Sequence, residues 1–218
     1  MLSIPTLFLA PDTELRNTLE IKRSQFITIA RRTDSQQTAR NFINEIRAEF
    51  PDARHHCSAY IISLPGAQPL QHSSDDGEPS GTAGHPMLDV LTGFNLSNIT
   101  AVVVRYFGGT LLGTGGLVRA YSSSVRECLL GTSTFTPKTL NKINVHARHD
   151  IAGRIEAELR GRGYDLIATH YEPTKVIFTL AVENEAIFHT ELAQITSGQC
   201  TANNEGKIIR EIPAITLT

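Results

Sequence analysis

The chain has 218 residues, 40% of them hydrophobic and 19% charged, with a formal net charge of −2. That length favours two domains, and the composition is that of a soluble globular protein. Residues 1–134 and 135–218 each carry one more carboxylate than cation, which excludes a polycationic tail or any bulk basic excess for non-specific nucleic-acid binding. No apolar run reaches the roughly 18 residues needed to cross a bilayer. Met1 to Ala10 is apolar but short, lacks a basic start and is broken by Pro5, so no signal peptide is expected. Cys57, Cys128 and Cys200 are odd in number and far apart, which favours free thiols in a reducing cytoplasm over a disulfide framework.

In chain order, residues 1–18 read as a lead-in. Leu19 to Arg32 reads as a strand, with Lys22 and Arg23 at one end and Arg31 and Arg32 at the other. Ser35 is placed to cap an amphipathic helix carrying Ala39, Phe42, Ile43 and Ile46, which Pro51 stops. His55 to Ser63 is a second strand, closed by Pro65-Gly66. The segment from Gln71 to Pro86 is too rich in Asp, Ser, Gly and Pro for regular structure over most of its length. A short apolar helix follows, with Pro86 near its first turn and Gly93 near its end. Ala101 to Val104 is a continuous β-branched run, as in a strand buried on both faces. Gly108, Gly109, Gly113, Gly115 and Gly116 come next, and Leu117, Tyr121, Val125 and Cys128 then recur at helical spacing from near Gly115. A small, polar stretch from Thr132 to Pro137 is the expected domain boundary. Beyond it the order is β-α-β-β-α-β, with Asp150 and Asn184 as helix caps and a hairpin of residues 164–171 and 176–182. That order is the split-βαβ, ferredoxin-like plan.

The chemistry concentrates in two stretches. A strand, a glycine-rich turn and a helix N-terminus leave backbone N–H groups free for an anion, and Arg105 and Arg119 bracket that turn. It is neither a P-loop, having no Gly-Lys-Ser/Thr, nor a dinucleotide fingerprint, lacking the third glycine. Glycine also serves wherever φ must be positive or two backbones pass closely. Asp75, Asp76 and Glu78 form an acidic loop that either binds a divalent metal through oxygen, is a turn with exposed carboxylates, or pairs with Arg105 and Arg119 and pre-organises the glycine turn. The turn reading is preferred to the metal. His55, His56 and Cys57 are adjacent, so at most alternate members share a face; no metal site is expected from them with His72 and His85, and no catalytic thiol from Cys57. Alanine at Arg105 or Arg119 is expected to remove ligand binding without disturbing the fold.

Four segments resemble one family in order and spacing: Lys22-Arg-Ser-Gln-Phe-Ile27, Pro51-Asp-Ala-Arg-His-His-Cys57, Asp75-Asp-Gly-Glu-Pro-Ser-Gly-Thr-Ala-Gly84, and Val102 to Gly109 running into Leu112 to Tyr121. Together they are similar to the YigZ/IMPACT family over about residues 20–130. The resemblance implies an α+β chain of two small α/β sandwich domains: residues 19–134 like domain 2 of ribosomal protein S5, and residues 135–218 ferredoxin-like, as in elongation factor G. It also implies a link to translation. Eukaryotic members carry a further N-terminal protein-binding domain and compete for a kinase activator; with about 18 residues ahead of the first strand, the bacterial form is the better match. Bacterial members commonly have lysine where this chain has His85, and an imidazole carries charge only when protonated.

The expectation is a non-enzymatic cytoplasmic protein that associates with RNA or the ribosome and regulates translation, without a cofactor, metal or membrane. The candidate binding residues are Arg105, Tyr106, Gly108, Gly109, Gly113, Gly115, Gly116, Arg119, Asp75, Asp76, Glu78, Thr82 and His85. Two alternatives stand beside it: a nucleotide- or phosphate-binding, small-molecule-kinase-like protein using the glycine loop, and a protein–protein adaptor.

Overall fold

A computed structural model describes residues 6–64 and 66–218. The start of the stretch weighed as a signal peptide, residues 1–5, and Pro65 of the expected Pro-Gly turn lie outside the described residues. The chain is mixed α/β, with two sheets and five helices among the described residues. It divides into two compact units: one comprises Met1–Thr136 with Pro213–Thr218, the other Pro137–Ile212.

The first unit holds strands β1 (Phe8–Leu9), β2 (Glu14–Ile21), β3 (Ser24–Arg32), β4 (His55–Ile62), β5 (Leu70–Ser74) and β6 (Ile99–Tyr106). Its helices are α1 (Gln36–Glu49), α2 (Gly84–Gly93) and α3 (Thr114–Leu129). Strands β2 to β6 form one sheet in the order β2-β3-β6-β4-β5. Strand β6 is central, and its apolar run is covered on both sides. Ala101 and Val103 join Phe26, Cys57, Ala59, Leu117 and Tyr121 in one core cluster. Val102 and Val104 join Ile29, Phe42 and Ile46 of α1 in another. Side chains alternate along a strand, so Arg105 falls on the α3 side and Tyr106 on the α1 side. Helix α1 starts at the Ser35 cap, which closes a capping box with Thr38.

Two expectations change here. The strand expected over residues 19–32 is a hairpin, because Ile21 pairs with Ser24 and the chain reverses at Lys22 and Arg23. The expected lead-in contains β1 and most of β2; β2 runs antiparallel to β3 from Glu14↔Arg31 onward, and Leu7 and Leu9 are core residues. The final residues also belong to the first unit: Gly131 N–H donates to Leu217 O (2.9 Å), Leu217 N–H donates to Thr132 O (3.0 Å), and the Leu217 side chain enters the core.

The second unit uses β7 (Ser133–Ala147), α4 (His149–Gly161), β8 (Asp165–Tyr171), β9 (Val176–Val182), α5 (Glu185–Thr196) and β10 (Thr201–Thr216). Both β7 and β10 continue into the first unit. Strand β7 lies between β10 and β9, and β9 pairs with β8. Val176, Phe178, Leu180 and Val182 alternate inward against Ile155, Leu159, Phe188 and Leu192. Asn184 accepts from Ile187 N–H and caps α5. Helix α4 starts after Arg148, which leaves Asp150 in its first turn rather than at the cap; there its charge still favours the helix dipole.

Candidate functional site: a basic, aromatic tip beside the glycine loop

The acidic loop is turned inward. Asp75 accepts three backbone N–H bonds, from Gly81 (2.8 Å), Ala83 (3.0 Å) and Gly84 (2.9 Å). Residues 83 and 84 open α2, whose Ala83 has no side chain to cap it, so Asp75 caps this helix from nine positions earlier. Burial pushes its pKa up, but the three N–H donors outweigh burial and hold it below the usual carboxylate range. Asp76 accepts from His56 N–H (2.7 Å) and from Arg47, and its carbonyl meets His55 Nδ1 at 2.9 Å. Thr82 is buried, with its hydroxyl donating to Pro79 O (2.6 Å). Glycine is required at position 84, where a Cβ would lie 2.6 Å from Ser74 N.

Glu78 goes deeper still. It is 8% exposed, and its Oε1 accepts from Arg105 Nη1 at 2.6 Å and from the Tyr121 hydroxyl at 2.8 Å. Cys57 Sγ lies 3.3 Å from the same hydroxyl, and burial pushes this thiol up to about 12, the setting of a packed rather than a reactive cysteine. Arg105 is 7% exposed, with its guanidinium over Phe26 and no partner for Nε among the described residues. Of the two arginines expected to meet the acidic loop, Arg105 does so, through Glu78. Arg119 instead is exposed, with Nε donating to Gly115 O (3.2 Å). Arg105 is therefore part of the core, and the expectation that alanine there would spare the fold does not suit its position.

The other expected residues separate. Tyr106 faces α1, and its hydroxyl donates to Asp52 (2.8 Å). The His85 side chain is 69% exposed on α2, 3.7 Å from Asp89. His72 stacks on Tyr60, and His56 meets Phe50 O at 2.9 Å. Among the described residues no group of three His, Cys, Asp or Glu side chains could hold a metal ion, and no helix is long and apolar enough to cross a membrane.

The glycines do different work. At Gly108 a Cβ would meet the Arg23 carbonyl carbon at 2.0 Å, and Gly108 N–H donates to Ser24 Oγ (3.1 Å). Gly109 and Gly113 have positive φ, +85° and +71°. Gly115 is in the first turn of α3 and faces open space, while at Gly116 a Cβ would stand 3.1 Å from Leu112. Contact at Gly108 thus ties the glycine loop to the β2–β3 turn, a feature not expected from the sequence.

That turn is unusual. Lys22 and Arg23 have φ of 49° and 64°, the left-handed pair of a two-residue type I′ turn, which ordinarily takes Asn-Gly. Neither is ion-paired among the described residues. Lys22 also lines a hollow of about 250 Å³ with Ile21, Leu112, Gly116, Arg119 and Ala120. Phe107 and Leu111, in the loop after β6, are 54% and 83% exposed. Backbone strain that persists is a pointer to function. The double change Lys22→Asn with Arg23→Gly should therefore stabilise the protein, by about 1 kcal/mol or roughly 3 °C in Tm, while weakening any partner that needs the cations. An unchanged or lower melting temperature would show that the turn is not strained.

A family model described as the Impact N-terminal domain matches residues 22–129, from the first residue of the turn to the last of α3. The Escherichia coli K12 protein named IMPACT family member YigZ is 41% identical over 180 residues, which is 82% of this chain and 88% of that one. The chain belongs to the IMPACT family. A crystal structure described only as that of a hypothetical protein is 39% identical and superposes with a TM-score of 0.55, covering 91% of this chain and 97% of its own. The structure of the two-domain translational regulator Yih1 is 26% identical, with a TM-score of 0.39 over 54% of this chain and 46% of its own. The IMPACT match takes in the turn, the acidic loop and the glycine loop together.

Proposed function

We propose that this protein is a non-enzymatic regulator of translation that docks on RNA or the ribosome through the tip made by Lys22, Arg23, Phe107, Leu111 and Arg119. The observation that carries this reading is the tip itself: two cations without an ion-pair partner among the described residues, on a left-handed turn held by Gly108 against an exposed apolar loop. The net charge of −2 argues against free-standing polyanion binding and for a few placed contacts on a structured partner. IMPACT membership supports the translation context. In the same reading the first unit follows the plan of domain 2 of ribosomal protein S5. The second follows the ferredoxin-like plan, supported by its β-α-β-β-α-β order with β7 between β10 and β9.

The kinase-like alternative is disfavoured by the acidic loop. Phosphoryl transfer needs carboxylates free to hold Mg²⁺, and Asp75, Asp76 and Glu78 are all occupied by the protein's own donors.

Sedimentation through a sucrose gradient at physiological salt tests the docking. The wild-type protein is expected in the ribosomal fractions, and Lys22→Glu with Arg23→Glu at the top of the gradient. A wild-type protein found wholly at the top would overturn the reading.

A further inference from the structure

Phe107 is the first residue after β6 to leave the core: residues 101 to 105 are buried, and Phe107 is 54% exposed. Its ring is not loose. The Arg105 guanidinium lies over it, 5.8 Å from the centroid, and is itself fixed by Glu78. The next residue, Gly108, is pressed against the backbone of Arg23. A supported, half-exposed ring thus precedes the glycine that touches the Arg23 backbone, and Lys22, next to Arg23, shares a hollow with Arg119. Lys22, Arg23 and Arg119 have no carboxylate partner among the described residues. We propose that Phe107 is a stacking platform for an unpaired base of single-stranded RNA, with those three cations taking the flanking phosphates. This rests on the docking reading above and names the chemistry that the tip selects.

Charge complementarity gives the anionic partner, and the ring gives its kind. Every base has a π-face, but a duplex hides those faces inside its own stack, so an exposed aromatic ring beside cations suits an unpaired segment. An acidic protein surface would also answer the cations. It would need only apolar bulk at position 107, which leucine supplies as well as phenylalanine.

Fluorescence anisotropy with the full chain separates these. The probes are a labelled, unstructured oligouridylate of about 12 nucleotides, within the span such sites cover, and an RNA hairpin of matching length. The single strand is expected to bind more tightly than the hairpin. Phe107→Leu should weaken it about tenfold, the loss of one base–aromatic stack, while Phe107→Trp stays within about twofold of wild type. Three phosphate contacts predict a slope of log K against log salt of about −2, reduced by about 0.7 in Arg119→Gln. Equal affinity for the hairpin, no binding of either probe, or a Phe107→Leu protein indistinguishable from wild type would each overturn the platform. Ribosomal sedimentation that Lys22→Glu with Arg23→Glu abolishes and Phe107→Leu leaves intact would remove the platform and leave the docking reading standing. Because Phe107 is half exposed, these variants are expected to melt as the wild type does.

Discussion

Arg105→Ala is expected to cost the protein about 3–5 kcal/mol, much of a small domain's stability. The loss comes from what remains. Glu78, 8% exposed with Arg105 in place, would keep only the Tyr121 hydroxyl as a donor among the described residues. Attraction between two charges is large where water is excluded, but so is the desolvation of each, and removing one partner leaves the second penalty uncompensated. It follows that Arg105→Met combined with Glu78→Gln should cost less than Arg105→Ala alone. Urea denaturation read by circular dichroism measures both. Arg119→Ala, at an exposed position, should fall within about 0.5 kcal/mol of wild type. A similar midpoint for Arg105→Ala and Arg119→Ala would mean that the Glu78 pair is not buried in solution.

Gly108→Ala is expected to be comparably damaging, at about 3 kcal/mol or more, although it adds a single methyl. The added carbon would meet Arg23 C at 2.0 Å, Arg23 O at 2.3 Å and Ser24 N at 2.3 Å. These are backbone atoms of a turn whose residues already hold positive φ, so they have no free rotamer by which to yield. The loop and the turn must part, and docking should be lost with them. Gly115→Ala gives the contrast. Its Cβ would face open space in the first helical turn, and the exchange should stabilise α3 by up to about 1 kcal/mol. Thermal melts of the two variants decide the matter, and equal effects would refute the division of the glycines into clamping and dispensable ones.

Much of this was legible in the residues. The β-branched run of β6, the hairpin of β8 and β9 and the Ser35 and Asn184 caps each follow from period and local chemistry. Arg105 shares the parity of Ala101 and Val103, so its place on their face could have been read from the strand period, although its burial at the end of the strand could not. What escaped had no local sign. Lys-Arg is not turn chemistry, and the reversal at residues 22 and 23 is imposed by the pairing of β2 with β3. Glu78 sits in a stretch that reads as exposed turn, and its burial follows from meeting Arg105 and Tyr121, 27 and 43 residues away. The clash that fixes Gly108 spans 84 positions to Ser24, beyond the reach of any window along the chain.

The return of Leu217 to the core of the first unit bears on how the molecule is made. Ribosomes deliver residues in order, and domains generally fold as they emerge. Here the first unit cannot close when residue 136 appears, because one of its core side chains and its bonds to Gly131 and Thr132 arrive 81 residues later. The second unit, by contrast, is contiguous from Pro137 to Ile212. During synthesis the first unit therefore receives its last core side chain only after the whole of the second unit has been translated.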